Sequence, residues 1–432
     1  MNIENKSSHG MVAVFLVLTS ALLSACLDSG GDDNGDPGGS AALDTGFASN
    51  GTAVMNLGGD DFARAMVVDS ADRIVIAGSR NLNSSGDFAL VRFGADGTVD
   101  SSFGVGGQRV TDLGGDDRGR SVVIDAVGKI VVGGDSLVTA SDFAIVRYNG
   151  DGTLDTTFGG DGIVITDFNG RGEPAMELAI DSNGSIVAAG FAHNGLNYDF
   201  AIARYNDDGS LDTTFSGDGM MIHDLGGDDR VSAVIIDAAG RIITAGRTGS
   251  ASDYDVALAR YNSDGSLDNT FGTNGVVVVD LGGNFDQARE VVVDASGRLV
   301  VAGRAGSSGQ WNILLMRFND DGSPDTGFGT NGVVTTDLGG NDRGRKLVLD
   351  ASGRIVVVGT SDSQGDNDFT LLRYNDDGSL DTGFGSNGVA TVDFGGDDRG
   401  TGIALDSGGR IVVAGRSDLG SGYDYAVARI LP

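Results

Sequence analysis

The chain has 432 residues, with 61 Asp and Glu against 29 Lys and Arg, for a formal net charge of −32. A polyanion of this size repels nucleic acid and anionic lipid head groups, which excludes both as electrostatic partners. One cysteine in the whole chain excludes an internal disulfide framework.

In chain order, residues 11–23 form a 13-residue, mostly apolar run. That length suits the core of a signal peptide and is too short to span a bilayer as a helix. It is followed by Leu23-Ser24-Ala25-Cys26, which resembles the lipobox of bacterial lipoproteins. The resemblance implies a signal peptide over 1–25 and a lipid on Cys26, the sole contact with a membrane. Leu27, in place of Asp, implies the outer rather than the inner membrane of the cell envelope. Together with Cys26, the Gly- and Asp-rich residues 27–42 read as a flexible tether over 26–42, and everything from 43 to 432 reads as one repeat domain.

A Leu/Val/Pro-Asp-x-x-Phe motif recurs seven times, at Phe47, Phe103, Phe158, Phe215, Phe271, Phe328 and Phe384, with intervals of 55–57 residues. A period of this length signals a solenoid, a propeller or an array. Between Phe158 and Phe215 the β-branched, aromatic and small residues fall into four short runs, 163–167, 176–181, 186–190 and 199–205. Asp-x-x-Gly turns separate the second from the third, as in Asp125 to Gly128. Gly78, Gly134, Gly190, Gly246, Gly303, Gly359 and Gly415 close the third run and predict a bulge or a close backbone approach. The runs are apolar on both faces, as sheets packed between other sheets require. The expected fold is all-β: a seven-bladed β-propeller with four antiparallel strands per blade.

The Ile-Val-Val-Ala-Gly type run, the Asp-Phe-Ala-x-x-Arg-Tyr run and the Asp-Gly-Ser-Leu-Asp-Thr-x-Phe-Gly segment resemble the delta-60 repeat family of bacterial exported β-propellers. The strand order resembles NHL-type blades. That order implies that residues 43–57 supply the outer strand of the last blade and close the ring, removing an exposed edge.

Basic residues are 26 Arg and 3 Lys, and one Arg recurs in every copy: Arg92, Arg147, Arg204, Arg260, Arg317, Arg373 and Arg429. Its planar fork suits buried pairing with carboxylates. The Asp that ends the second run of each repeat (Asp69, Asp125, Asp181 and so on) is one candidate partner. Acidic crossovers recur at Asp116-Asp117, Asp228-Asp229, Asn341-Asp342 and Asp397-Asp398. On a propeller, Asp116, Asp117, Asp228, Asp229, Asp342, Asp397 and Asp398 would ring the channel mouth as a site for cations or a cationic partner. Oxygen-rich loops can hold Ca²⁺, although these lack EF-hand spacing. The competing reading is that each aspartate bonds its own turn. Trp311, the only tryptophan, follows one of four variable loops and marks a candidate recognition loop. No nucleophile motif, phosphate loop or zinc-protease motif appears. The expected function is a rigid binding or scaffold propeller for a protein or glycan partner. The alternative is a propeller enzyme acting on an extracellular polymer such as a polysaccharide.

Overall fold

A computed structural model describes residues 39–40 and 42–432, apart from 83–84, 138–140, 169–171, 364 and 421. The expected signal peptide, Cys26 and most of the tether lie outside the described residues. The ring consists of seven sheets built on four antiparallel strands each, hydrogen-bonded in sequence order in six of them, while the seventh takes its outer strand from the start of the ring. The first blade runs, from the centre outward, Asp60–Val68, Ile74–Leu82, Ser85–Phe93 and Gln108–Thr111. The innermost strands of the other six are Arg118–Ile124, Ala175–Ile180, Arg230–Ile236, Gln287–Val293, Arg343–Leu349 and Asp398–Leu405.

The two-sided apolar pattern has the expected cause. Phe143, Ala144, Ile145 and Val146 are consecutive and all 0 % exposed, because each blade is packed on both sides. The core lies between blades: Val131, Phe143 and Ile145 of the second pack against Leu178, Ile186 and Ala201 of the third.

The ring closes as the repeat phase implies. Thr52–Met55 pairs antiparallel with Tyr423–Ile430, Thr52 opposite Ala428 and Met55 opposite Tyr425. The amide of Asp44 donates to the Arg429 carbonyl at 2.9 Å. The first and last blades meet where Thr401 Oγ1 donates to the Ala63 carbonyl at 3.1 Å. Gly39–Ser40, within the span read as tether, pair in parallel with Ala390 and Thr391 of the sixth blade's outer strand.

The recurring arginine bolts each blade to its motif. Nε of Arg92, Arg204, Arg260, Arg317 and Arg373 lies 2.8 Å from Oδ2 of Asp100, Asp212, Asp268, Asp325 and Asp381. Arg147 pairs with Asp155 in the same way at 2.7 Å, and Arg429 with Asp44 at 2.9 Å. Each guanidinium also sits 4.6–5.0 Å from the centre of the motif phenylalanine. The partner is therefore the motif aspartate rather than the turn aspartate that sequence spacing offered, although Arg429 also reaches its turn aspartate, Asp406, at 3.7 Å. Asp69, Asp237, Asp294, Asp350 and Asp406 instead pair with the arginine four residues on. The tight Asp-x-x-Gly turn presents that nearer arginine first.

Candidate functional site: a cationic channel ringed by carboxylate triads

The seven recurring glycines set up the centre of the ring. A Cβ on Gly303 would lie 2.0 Å from the Gln287 carbonyl oxygen of the adjoining inner strand, and the other six meet the same carbonyl at 1.8–2.0 Å. That approach accompanies a bulge: every inner strand slips by one residue opposite the glycine. A bulge leaves one residue unpaired and re-aims its side chain. The skipped residues are Arg64, Arg120, Met176, Ser232, Arg289, Arg345 and Thr401, and all seven line one central cavity of about 200 Å³. Arg399, Arg416 and Lys346 join them, so seven cations and one carboxylate, Glu177, line the cavity of a protein with net charge −32.

Arg120, Arg399 and Lys346 are in ion pairs, with Asp135, with Asp397 and with two glutamates, but the other channel cations are poorly compensated. Among the described residues Arg289 and Arg345 enter no ion pair, and Arg64 donates only to Ser79 Oγ at 2.8 Å and to the Phe62 carbonyl at 3.3 Å. Burial, with repulsion from neighbouring guanidinium groups, pushes Arg289 and Arg345 down to about 9 and Arg64 to about 10. One step further along the inner strands, Lys346 Nζ binds Glu290 Oε2 at 2.6 Å and also Glu177. Glu177 and Glu290 are thus held by one ammonium.

Aromatic side chains stack on arginines at the channel rim. Trp311 lies between Arg304 and Arg343, their guanidinium carbons 4.2 and 4.4 Å from its ring centre. Arg247 covers Tyr254 at 4.1 Å, Arg230 covers Tyr198 at 4.5 Å, and Arg416 covers Tyr423 at 4.6 Å. These four aromatics occupy one position, near the start of the third strand of four blades. Trp311 is accordingly a strand residue, opposite Gly306, rather than a residue after a loop. The second and third strands run on past the glycine into a short hairpin, and that absorbs most of the sequence variation.

The seven aspartates expected at the channel rim do not line the cavity. Asp116, Asp228 and Asp397 each pair with the arginine two residues on, Arg118, Arg230 and Arg399. Asp117, Asp229, Asp342 and Asp398 are 0 % exposed. Their Oδ2 atoms accept the amides of Leu113, Leu225, Leu338 and Phe394 at 2.6–2.7 Å. In each Asp-Asp-Arg or Asn-Asp-Arg turn the second acid tucks under the crossover. Of the turn arginines Arg399 lines the cavity, and with the bulge arginines it makes the lining cationic where the sequence suggested an acidic ring.

The buried acid meets two others. Asp87, Asp112 and Asp117 offer oxygens within 4.8 Å of one another, as do Asp142, Asp167 and Glu173; Asp199, Asp224 and Asp229; Asp255, Asp280 and Asp286; and Asp368, Asp393 and Asp398. Each triad joins the third strand and the end of the outer strand of one blade to the end of the crossover, where the next blade's inner strand begins. Burial, reinforced by the neighbouring carboxylates, raises Asp368 to about 7 and Asp398 to about 6. Sequence reading named Asp117, Asp229 and Asp398 as candidate cation ligands but not the two acids that join each of them, and it missed the cationic channel. Their signal is columnar: each triad takes one residue from three columns of the repeat, and the channel takes one residue from a fourth.

Six stretches, residues 71–103, 128–158, 182–215, 240–271, 295–328 and 351–384, match the family model described as "Domain of unknown function (DUF5122) beta-propeller", often called the delta-60 repeat. Each stretch runs from the turn before a second strand to the motif phenylalanine. The chain is a β-propeller. Comparison with curated proteins finds no match. Among solved structures the propeller is similar to a protein of unknown function from Dyadobacter fermentans, at 12% identity over 88% of this chain and 98% of that one, TM-score 0.49. It is also similar to a protein from Lactobacillus plantarum, at 14% identity over 83% and 96%, TM-score 0.49. The polysaccharide lyase Uly1 shares 12% identity over 89% and 92%, TM-score 0.47. None of these likenesses carries a property over to the propeller.

Proposed function

We propose that the propeller is a bacterial envelope lipoprotein, tethered through Cys26, that binds a protein or glycan partner through oxyanions seated at the channel mouth. The observation that carries this reading is the set of bulge arginines: Arg64, Arg289 and Arg345 converge in one cavity and, among the described residues, enter no ion pair. Guanidinium forks match carboxylate, sulfate and phosphate groups, and a partly buried site weakens solvent screening of that attraction. The stacked Arg–Trp and Arg–Tyr pairs around the rim supply the rigid aromatic and arginine anchors typical of binding hot spots. Anchoring by a lipid agrees with a rigid module that acts where it is held. The alternative enzyme reading would have to draw on Glu177 and Glu290, and both are engaged by Lys346.

The test is an array of acidic and neutral glycans, together with an envelope protein pull-down, probed with the propeller and with Arg289→Gln/Arg345→Gln. Binding should favour acidic ligands, weaken with salt and fall at least tenfold in the double variant. Retention of neutral glycans, or full binding by the variant, would refute the channel site. In the bacterium, Cys26→Ser should move the protein from the membrane to the soluble fraction; unchanged membrane partition would refute the anchor.

A further inference from the structure

Four of the five carboxylate triads, those of Asp87, Asp199, Asp255 and Asp368, present an electrostatic problem that no cationic side chain among the described residues solves. The five triads hold fifteen of the chain's 61 acidic residues. No residue of the Asp87, Asp199, Asp255 and Asp368 triads appears in an ion pair among the described residues, although 29 ion contacts bind other acids. Several of these acids already give one oxygen to a turn. Asp224 Oδ1 accepts the Gly226 amide at 2.7 Å, and Asp280 and Asp393 accept those of Gly282 and Gly395 at 2.6 Å.

Other oxygens are left over. Asp199 is 2 % exposed; its Oδ2 takes Asn194 at 2.8 Å, while its buried Oδ1 has no hydrogen-bond partner. Asp61, 0 % exposed, holds the matching crossover position next to Asp424, and its Oδ1 is buried and unpartnered in the same way. A buried, unpaired carboxylate oxygen is costly, and a cluster of them more so.

The remaining two blades carry the cluster in altered form. At the equivalent positions Asn312 stands with Asp337 and Asp342, and Asn56 stands with Asp61 and Asp424. In each, one carboxylate has become an amide, which keeps an oxygen donor and sheds one charge. Turn formation alone does not call for three acids. A bound cation does, since it needs oxygens converging from separate strands.

We infer that the five all-carboxylate clusters form a ring of divalent-cation sites, that the ion is Ca²⁺, and that the two clusters carrying an amide hold it at least tenfold more weakly. The donors are all oxygens, as hard cations prefer and zinc does not. Their mutual separation, at most 4.8 Å, is about twice the Ca–O distance of 2.3–2.6 Å. Mono- and bidentate carboxylates on three separate strands suit the irregular shell of Ca²⁺ better than the rigid octahedron of Mg²⁺. Each ion would tie the third and outer strands of one blade to the crossover that starts the next. The clusters lie apart from the cationic cavity, so this inference stands independently of the proposed function.

The experiment is a calcium-binding titration of the full chain after chelator treatment, with stoichiometry read by equilibrium dialysis and stability by thermal melting. About five ions should bind to the all-carboxylate triads, with a higher melting temperature in millimolar Ca²⁺. Asp224→Asn, which copies the amide that blade seven already tolerates at Asn56, should remove one ion or weaken its binding at least tenfold. Asp207→Asn, at an exposed turn outside any triad, should leave the stoichiometry unchanged. No Ca²⁺ bound at millimolar concentration, or Asp224→Asn equal to the parent, would overturn the inference. Preference for Mg²⁺ over Ca²⁺ would overturn the choice of ion. A more stable Asp224→Asn chain that binds no ion would mean that the triads share protons instead.

Discussion

Arg260 is 1 % exposed, yet its guanidinium contacts Asp268, Thr270 and Asp320 and lies over Phe271. Recurrence of this arginine and of the Asp-x-x-Phe motif was legible in the sequence. Their mutual pairing was not, because the link spans a turn whose path depends on the third strand. A buried charge resents losing its partner more than it gains from the pair. Asp268→Asn should therefore cost about 2 kcal/mol, read as a lower urea midpoint. The bolts also set the acid limit of the fold. The Thr270 hydroxyl and then Arg260 lower Asp268 below the ordinary carboxylate range, and the Ser102 and Thr214 hydroxyls, with Arg92 and Arg204, do the same for Asp100 and Asp212. A lowered native pKa gives stability that is full above the unfolded value, near 4, and is lost as pH falls below it. The parent should lose melting temperature steeply below about pH 4; Asp268→Asn should lose less over that range, having one bolt carboxylate fewer to protonate.

At the scale of the element, the glycine column mattered more than strand propensity. Sequence reading ended the third run at Gly303, whereas the strand continues through Ser307 and turns into Gln310–Phe318. A bulge was expected from the glycine, and a bulge is present, but on the partner strand. Its effect is to keep the ladder going and to turn Arg289 into the channel. Which neighbour the glycine approaches cannot be read from one strand alone. Gly303→Ala should push the Gln287 carbonyl out of register and destabilise the chain by about 3 kcal/mol, as overpacking against backbone does. Gly309→Ala, at the hairpin with φ +82° and nothing within 4 Å, should cost only about 1–2 kcal/mol. Equal melting temperatures for the two variants would refute the close-approach account.

At the scale of the whole molecule, closure joins residues nearly the full chain apart. Asp44 clamps Arg429 and Arg410, and Thr52–Met55 completes the last blade. Deleting 43–57 should strip the outer strand from Tyr423–Ile430, lower the melting temperature sharply and promote association through the bared edge. Deleting 27–36, part of the Gly- and Asp-rich tether, should leave the melting temperature unchanged. Light scattering and thermal melts of the two deletions separate these outcomes, and equal melts would count against closure as the stabilising device.

Repeat number, strand content and turn chemistry were determined by the sequence because each depends on contacts within about one repeat of 55–57 residues, and the closing strand followed from the phase at which the repeat pattern starts and stops. The sign of the channel was not. Overall charge and the Asp-Asp-Arg turns argued for an acidic mouth, yet a one-residue bulge sends one residue per repeat, Arg64, Arg120, Arg289 and Arg345 among them, into a common cavity. The triads likewise draw one acid from each of three separated columns, as in Asp199, Asp224 and Asp229. Only tertiary structure decides such convergence, because neighbours across a ring are fixed by blade packing and register rather than by distance along the chain.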